Sequence, residues 1–159
     1  DLGLTKLGHL SLDGKLTELV SNVGGTTLGR PYASGSFSVS DNGKIAYTVS
    51  YPDRPADVAI HDTKTGVLKE VTNLNADLMD YRLPGPVEEI WYKSTGDLDI
   101  QGWIIKPPDF DPSRKYPLIL SIHGGPHGMY GVGFNHRWQH HAAEGELQCL
   151  LERAPALRT

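Results

Sequence analysis

Tyr116-Pro117-Leu118-Ile119-Leu120-Ser121-Ile122 is a short apolar run without alternation, and His123-Gly124-Gly125-Pro126 follows it directly. Such a run, bounded by proline and glycine, reads as a strand covered on both faces, the pattern of an α/β sheet. The residues after it then fall at the carboxyl edge, where such sheets bind ligands. Two glycines let the backbone come close to a ligand and proline fixes the exit. Peptide N–H groups here can therefore face negative charge growing on a carbonyl oxygen. On these four residues alone, a plain strand-closing turn is an equal reading.

Upstream, residues 87–93 and 100–106 read as two strands joined by the turn Thr95-Gly96-Asp97, with Pro107-Pro108-Asp109-Phe110-Asp111-Pro112 as a surface loop. Leu83-Pro84-Gly85-Pro86 forbids a continuous helix or a central strand, and the domain boundary is placed there. Before it the grammar differs, with short β-prone runs alternating with glycine turns. Residues 11–20 and 62–71 share one construction, a Gly in a polar turn followed by alternating apolar and polar residues. Between them Phe37-Ser38-Val39, the turn at Asn42-Gly43 and Ile45-Ala46-Tyr47-Thr48-Val49 make another hairpin, and residues 56–62 lead into the second copy. The spacing of about 50 residues matches four-stranded propeller blades. It gives one whole blade at 34–73 preceded by the outer half of another; a plain antiparallel sheet of five or six strands is the alternative.

Composition narrows the function classes. The net charge of −4 and pI near 5.9 argue against a nucleic-acid partner held by bulk charge. Eighteen Gly and eleven Pro favour strands and turns over long helices. No run approaches the roughly 20 apolar residues of a spanning helix, and Asp1-Leu2-Gly3-Leu4 lacks the basic start of a signal peptide. No membrane partner and a cytoplasmic location are the expectations. Cys149, the single cysteine, excludes an internal disulfide framework.

Residues 87–139 carry a more specific signal. The paired strands, Trp103-Ile104-Ile105-Lys106-Pro107-Pro108, Lys115-Tyr116-Pro117-Leu118-Ile119, the His-Gly-Gly-Pro-His127-Gly128 corner and Phe134-Asn135-x-Arg137-Trp138 resemble the start of the catalytic domain of the prolyl oligopeptidase family. The acylaminoacyl-peptidase and dipeptidyl-aminopeptidase branch is the nearest in pattern. The resemblance implies a β-propeller fragment (antiparallel β blades) at residues 1–83, then the N-terminal part of an α/β-hydrolase domain at 87–145. It implies a serine peptidase acting on oligopeptides through an acyl-serine intermediate, without metal or organic cofactor. Only the oxyanion loop carries over, onto His123, Gly124 and Gly125, with the Gly125 N–H as donor; some relatives place a donating Tyr where this chain has His123.

A nucleophile elbow requires Gly-x-Ser-x-Gly between strand and helix. None occurs. Ser34-Gly35-Ser36 is the nearest cluster, but it precedes a blade strand and lacks the second Gly. In the family the Ser, Asp and His all lie further along, so no catalytic triad is assembled and the sequence as given is expected to be inactive. The rival class is a non-catalytic β-rich binding module that recruits a partner strand at an exposed edge. The tail, 146–159, departs from the family pattern. Glu146-Leu147-Gln148-Cys149-Leu150-Leu151-Glu152-Arg153 favours helix over a β-branched strand; a shift of reading frame near Gly145 would account for the departure, and a genuine short protein ending in an amphipathic helix is the alternative.

His136, His140 and His141 invite a metal reading, since i and i+4 share a helix face. Without a third ligand or a His-Glu-x-x-His pattern they read as exposed helix histidines. His9 and His61 fall on blade strands, and Trp91, Trp103 and Trp138 are core candidates. Carboxylates such as Asp41, Asp97 and Asp99 sit in turns, where they bond the turn backbone. Gly24, Gly25 and Gly29 lack the Lys-Ser or Lys-Thr of a phosphate cradle.

Overall fold

The computed structural model describes residues 3–27, 32–124 and 128–153. The chain forms two compact units, one of residues 3–82 with 131–135, the other of residues 83–130 with those from 136 onward.

In the first unit β1 (Thr5–Leu10) and β2 (Leu16–Val23) form a hairpin. Next, β3 (Phe37–Val39), β4 (Lys44–Val49), β5 (Asp57–Asp62) and β6 (Leu68–Glu70) form an antiparallel meander. The hairpin joins the meander at the pair Val23–Val49, so six strands make one sheet. Period-2 alternation sets the core: Ile45, Tyr47 and Val49 point inward from β4, as do Asp57, Ala59 and His61 from β5. Val20, Val23, Tyr47, Val49 and Ala59 pack together, with Leu7 and Tyr51 against them. Of the two histidines expected on strands of this unit, His61 is buried while His9 is exposed.

Turn chemistry explains the hairpins. The Ser11 hydroxyl accepts the Lys15 N–H at 3.0 Å and gives its one proton to the Asp13 carboxylate; Ser40 likewise accepts the Lys44 N–H at 3.1 Å and donates to Asn42 Oδ1 at 2.6 Å. Gly14 and Gly43 supply positive φ angles of 87° and 85° in these turns. The β5–β6 turn is built otherwise: the Asp62 carboxylate accepts the N–H groups of Lys64 at 2.9 Å and Thr65 at 3.2 Å. Thus the two segments alike in sequence, 11–20 and 62–71, both make hairpins but close them with different side chains. Asp57, buried, ties the end of the sheet to the chain beyond it. Its carboxylate accepts from the Thr72 hydroxyl at 2.6 Å and the Leu74 N–H at 3.0 Å, while Thr72 Oγ1 accepts the Val58 N–H at 2.8 Å. A short helix, α1 (Ala76–Met79), follows.

The second unit holds β7 (Val87–Lys93), β8 (Asp99–Ile105), β9 (Leu118–Ile122), the helix α2 (His136–Ala143) and β10 (Leu147–Arg153). The sheet order is β7-β8-β10-β9; β7, β8 and β10 run antiparallel in turn, and β10 is parallel to β9. Adjacent parallel strands need a crossover, and the connection from β9 to β10 passes through α2. Trp138 and Ala142 of α2 and Trp103, Ile105 and Leu150 of the sheet are all buried, and α2 contacts β8 and β10. The helix ends in a Schellman arrangement: Gly145 at φ 84° donates to the Ala142 carbonyl and the Glu146 N–H to that of His141.

Three expectations are corrected here. The tail is a strand, not a helix: β10 pairs six residues with β8 and five with β9, and two flanking ladders outweigh the helical preference of Leu, Gln and Glu. Strand β9 is not covered on both faces, because Leu118, Leu120 and Ile122 are 60%, 50% and 66% exposed; it is the edge strand and α2 lies on the opposite face from these three residues. Trp91 is exposed rather than in the core, its indole N–H donating to Glu89 Oε1 at 2.6 Å near the end of the other edge strand. Trp103 and Trp138 are buried as expected.

Two glutamines enter the covered face of this sheet, and Gln101, 2% exposed, donates through Nε2 to Glu89 Oε1 at 2.7 Å. Gln148 is 1% exposed, and its Nε2 donates to Ser121 Oγ at 2.9 Å, with the Ile119 and Cys149 carbonyls each at 3.3 Å.

Candidate active-site loop

Strand β9 delivers His123 and Gly124 to its carboxyl end. Gly124 is exposed and His123 half-buried. His123 Nδ1 lies 2.7 Å from the Gly124 carbonyl oxygen. A carbonyl can only accept, so Nδ1 carries the proton and donates. Gly125, the expected donor, lies outside the described residues with Pro126 and His127.

The far side of the corner is aromatic. Tyr130, buried, meets the His123 ring edge-on with centroids 5.9 Å apart and planes at 71°, and meets Trp138 of α2 at 5.5 Å and 65°. Its hydroxyl donates to the Ile122 carbonyl at 3.4 Å. Edge-to-face contacts of this kind add about 0.5–1.5 kcal/mol each beyond the area they bury. The next residue of the helix, Gln139, grips the segment ahead of β7. Its Oε1 accepts the Gly85 N–H at 2.7 Å and its Nε2 donates to the Gly85 carbonyl at 3.3 Å. Tyr130 and Gln139 escaped the sequence reading. The nearest signal for Tyr130 is an aromatic seven residues beyond His123, and Gln139 has none.

The remaining candidates separate clearly. His136 and His140 stack in parallel on the exposed side of α2, centroids 6.4 Å apart, and His141 Nδ1 pairs with Glu146 Oε2 at 2.9 Å. Among the described residues no three His, Cys, Asp or Glu side chains could hold a metal ion. No described helix is long and apolar enough to cross a membrane. Ser34-Gly35-Ser36 lies in the first unit as coil ahead of β3. Burial pushes the Cys149 thiol pKa up, the opposite of what an activated nucleophile needs. What the corner offers is therefore a backbone turn at a sheet edge, fastened by side chains, rather than a nucleophile and base.

No family model matches the chain. It is 32% identical over 147 residues to an uncharacterized peptidase of Bacillus subtilis, a match that covers 91% of this chain and 21% of the relative. Among solved structures, the Pyrococcus horikoshii acylaminoacyl peptidase superposes with a TM-score of 0.70 at 24% identity, covering 94% of this chain and 23% of that one. An acylaminoacyl peptidase in complex with Z-Gly-Gly-Phe-chloromethyl ketone gives the same TM-score at 23% identity, over 94% and 23% of the two chains. The chain spans about a fifth of the length of each of these proteins.

Proposed function

Because the chain is related to the serine peptidases of the prolyl oligopeptidase family, about a fifth of whose length it spans, we propose that it joins the last blades of a β-propeller to the first strands of an α/β-hydrolase domain. The blades are residues 1–83 and the hydrolase part is 87–145. The parental reaction is hydrolysis of a peptide bond in an oligopeptide, in a reducing compartment such as the cytoplasm. One observation carries the reading. A parallel β9–α2–β10 crossover sets His123 and Gly124 at the carboxyl end of its first strand, where an α/β enzyme places its chemistry.

In that reaction a tetrahedral intermediate develops charge on the former carbonyl oxygen, and rigid backbone donors stabilise it without reorganising. His123, Gly124 and Gly125 are assigned to that loop. The His123 imidazole, donating to the Gly124 carbonyl, holds the backbone and does not act as the general base. The sequence supplies no nucleophile elbow, so this polypeptide by itself binds and orients but does not form an acyl-enzyme. The test is incubation with fluorogenic aminoacyl and acyl-aminoacyl substrates and with a fluorophosphonate probe. Neither turnover nor serine labelling is expected, and either one would overturn the reading that this polypeptide by itself is inactive. Sequencing the coding DNA through codons 140–160 checks the frame change near Gly145; an open frame with no family-like continuation in another frame refutes it.

A second reading has its own support. Among the described residues strand β3 pairs only with β4, and it exposes Phe37 and Val39, an edge that suits a partner strand. Saturable binding of a polypeptide without turnover would favour that binding module.

A further inference from the structure

We propose that Tyr130 is a positioning residue for the His123–Gly124 corner, its ring locking the His123 imidazole in the Nδ1–H form that holds the Gly124 carbonyl. The inference rests on the oxyanion reading above for its purpose, but not for its measurement.

The argument begins with the imidazole. An unconstrained histidine side chain at the exposed end of a strand samples several rotamers and favours the other tautomer, Nε2–H. Here the ring is held in one orientation, its Nδ1 2.7 Å from the carbonyl of the following residue. That bond spans one residue and has little leverage of its own, so something else must fix the ring. Tyr130 is one such contact, edge-on at 5.9 Å. Tyr130 is itself fixed from two directions: by Trp138, 2% exposed and anchored in α2, and by its hydroxyl over the carbonyl of Ile122, the last residue of β9. A chain of three rings thus runs from the buried helix to the end of the edge strand, and the outermost ring holds a backbone carbonyl.

The consequence follows from peptide geometry. A trans peptide unit is planar, with its C=O and N–H pointing in opposite directions. Tying the Gly124 carbonyl to the imidazole therefore fixes the plane of the peptide that leads to the donor assigned above to the oxyanion. A glycine-rich corner has no side chains of its own to make this choice, and glycine backbone is the most expensive to order. Tyr130 supplies the order from outside the corner. Its hydroxyl, 3.4 Å from its acceptor, makes a long bond; the ring carries the effect.

The experiment is nitrogen-15 NMR of the histidine rings in the intact chain, with the His123 signals assigned by their loss in His123→Ala. The wild type is expected to show His123 with Nδ1 protonated and its ring protons shifted by the Tyr130 ring. Tyr130→Phe is expected to keep both signatures, and Tyr130→Leu to lose the ring shift and move His123 toward the Nε2–H tautomer. An Nε2–H tautomer in the wild type overturns the proposal without any variant, so a Leu variant that fails to fold does not shelter it. A Leu variant that folds and retains the Nδ1–H form overturns it too, as does a Phe variant that behaves like Leu. No substrate enters these measurements, so the brace can fail while the peptidase reading stands, or the reverse.

Discussion

Gly85→Ala tests how the entry to the second unit is seated. A Cβ built on Gly85 falls 2.2 Å from the Lys106 carbonyl oxygen, 3.1 Å from Ala142 Cβ and 3.2 Å from Ile105 Cγ2. The first contact is with backbone, which cannot swing aside as a side chain can, so the 83–86 segment must lift by close to an ångström. Overpacking of this kind costs about 1–3 kcal/mol. Lifting also opens the two hydrogen bonds between Gly85 and Gln139, worth about 1 kcal/mol each. The sum is a loss of about 3–5 kcal/mol, a fall in urea midpoint of roughly 1.5–2.5 M at a slope of about 2 kcal/mol per M. Urea unfolding followed by tryptophan fluorescence reads it directly, because Trp91, Trp103 and Trp138 all belong to the second unit. Gly96→Ala is the control. Gly96 has φ 74° with nothing within 4 Å of its Cβ position, so only backbone strain is added, about 1–2 kcal/mol. Combined with Gln139→Ala, the Gly85→Ala effect should be less than additive, since both changes break the same two bonds. A Gly85→Ala loss no larger than that of Gly96→Ala, or full additivity with Gln139→Ala, would refute the seating described here.

Asp57→Ala removes a buried acceptor for the Thr72 hydroxyl and the Leu74 N–H; a loss of about 2–3 kcal/mol in the first unit is expected by far-ultraviolet circular dichroism. The Lys64 N–H, then that of Thr65 and the charge of Lys44, hold the Asp62 carboxyl below the usual carboxylate range. A depressed pKa adds stability above the ordinary carboxylate range that is lost as pH falls through the lowered value. Asp62→Asn should therefore flatten the decline in thermal midpoint below about pH 4. Part of the slope remains, because Ser11 lowers Asp13 and Ser113 lowers Asp111 in the same way. Cys149, buried in β10 with its thiol pKa raised, should resist a thiol-disulfide reagent in native buffer and react as the second unit unfolds; rapid native labelling would contradict its placement.

How legible was this fold before its coordinates? The hairpins were, because glycine and serine turns act over four or five residues: Asn42-Gly43 and Thr95-Gly96-Asp97 fall where strands reverse. Strand β10 was not legible, since its conformation comes from ladders on both sides rather than from its own residues. Nor was the exposure of β9. Leu118, Leu120 and Ile122 are as apolar as a covered strand requires, and a run of side chains carries no record of whether anything lies above it. Trp91 misled for a related reason, as an indole at an edge can satisfy its N–H with a neighbouring carboxylate and stay in solvent. Of the site, His123 and Gly124 follow from the strand-turn pattern. Tyr130 and Gln139 act through partners far away in sequence or on a different element, so no local pattern announces them.

Gln148 gives β10 something an all-aliphatic strand would lack. Side chains alternate across a sheet, so sliding β10 by one residue would carry this carboxamide to the other side and seat Leu147 or Cys149 opposite Ser121 Oγ and the Ile119 carbonyl. The displaced arrangement strands an acceptor-seeking amide and forfeits about 1–3 kcal/mol for each polar group left dry. Leucines tolerate a misaligned neighbour almost as well as a correct one. A buried amide does not, and so Gln148 works as a keyed pin that admits the strand at a single setting.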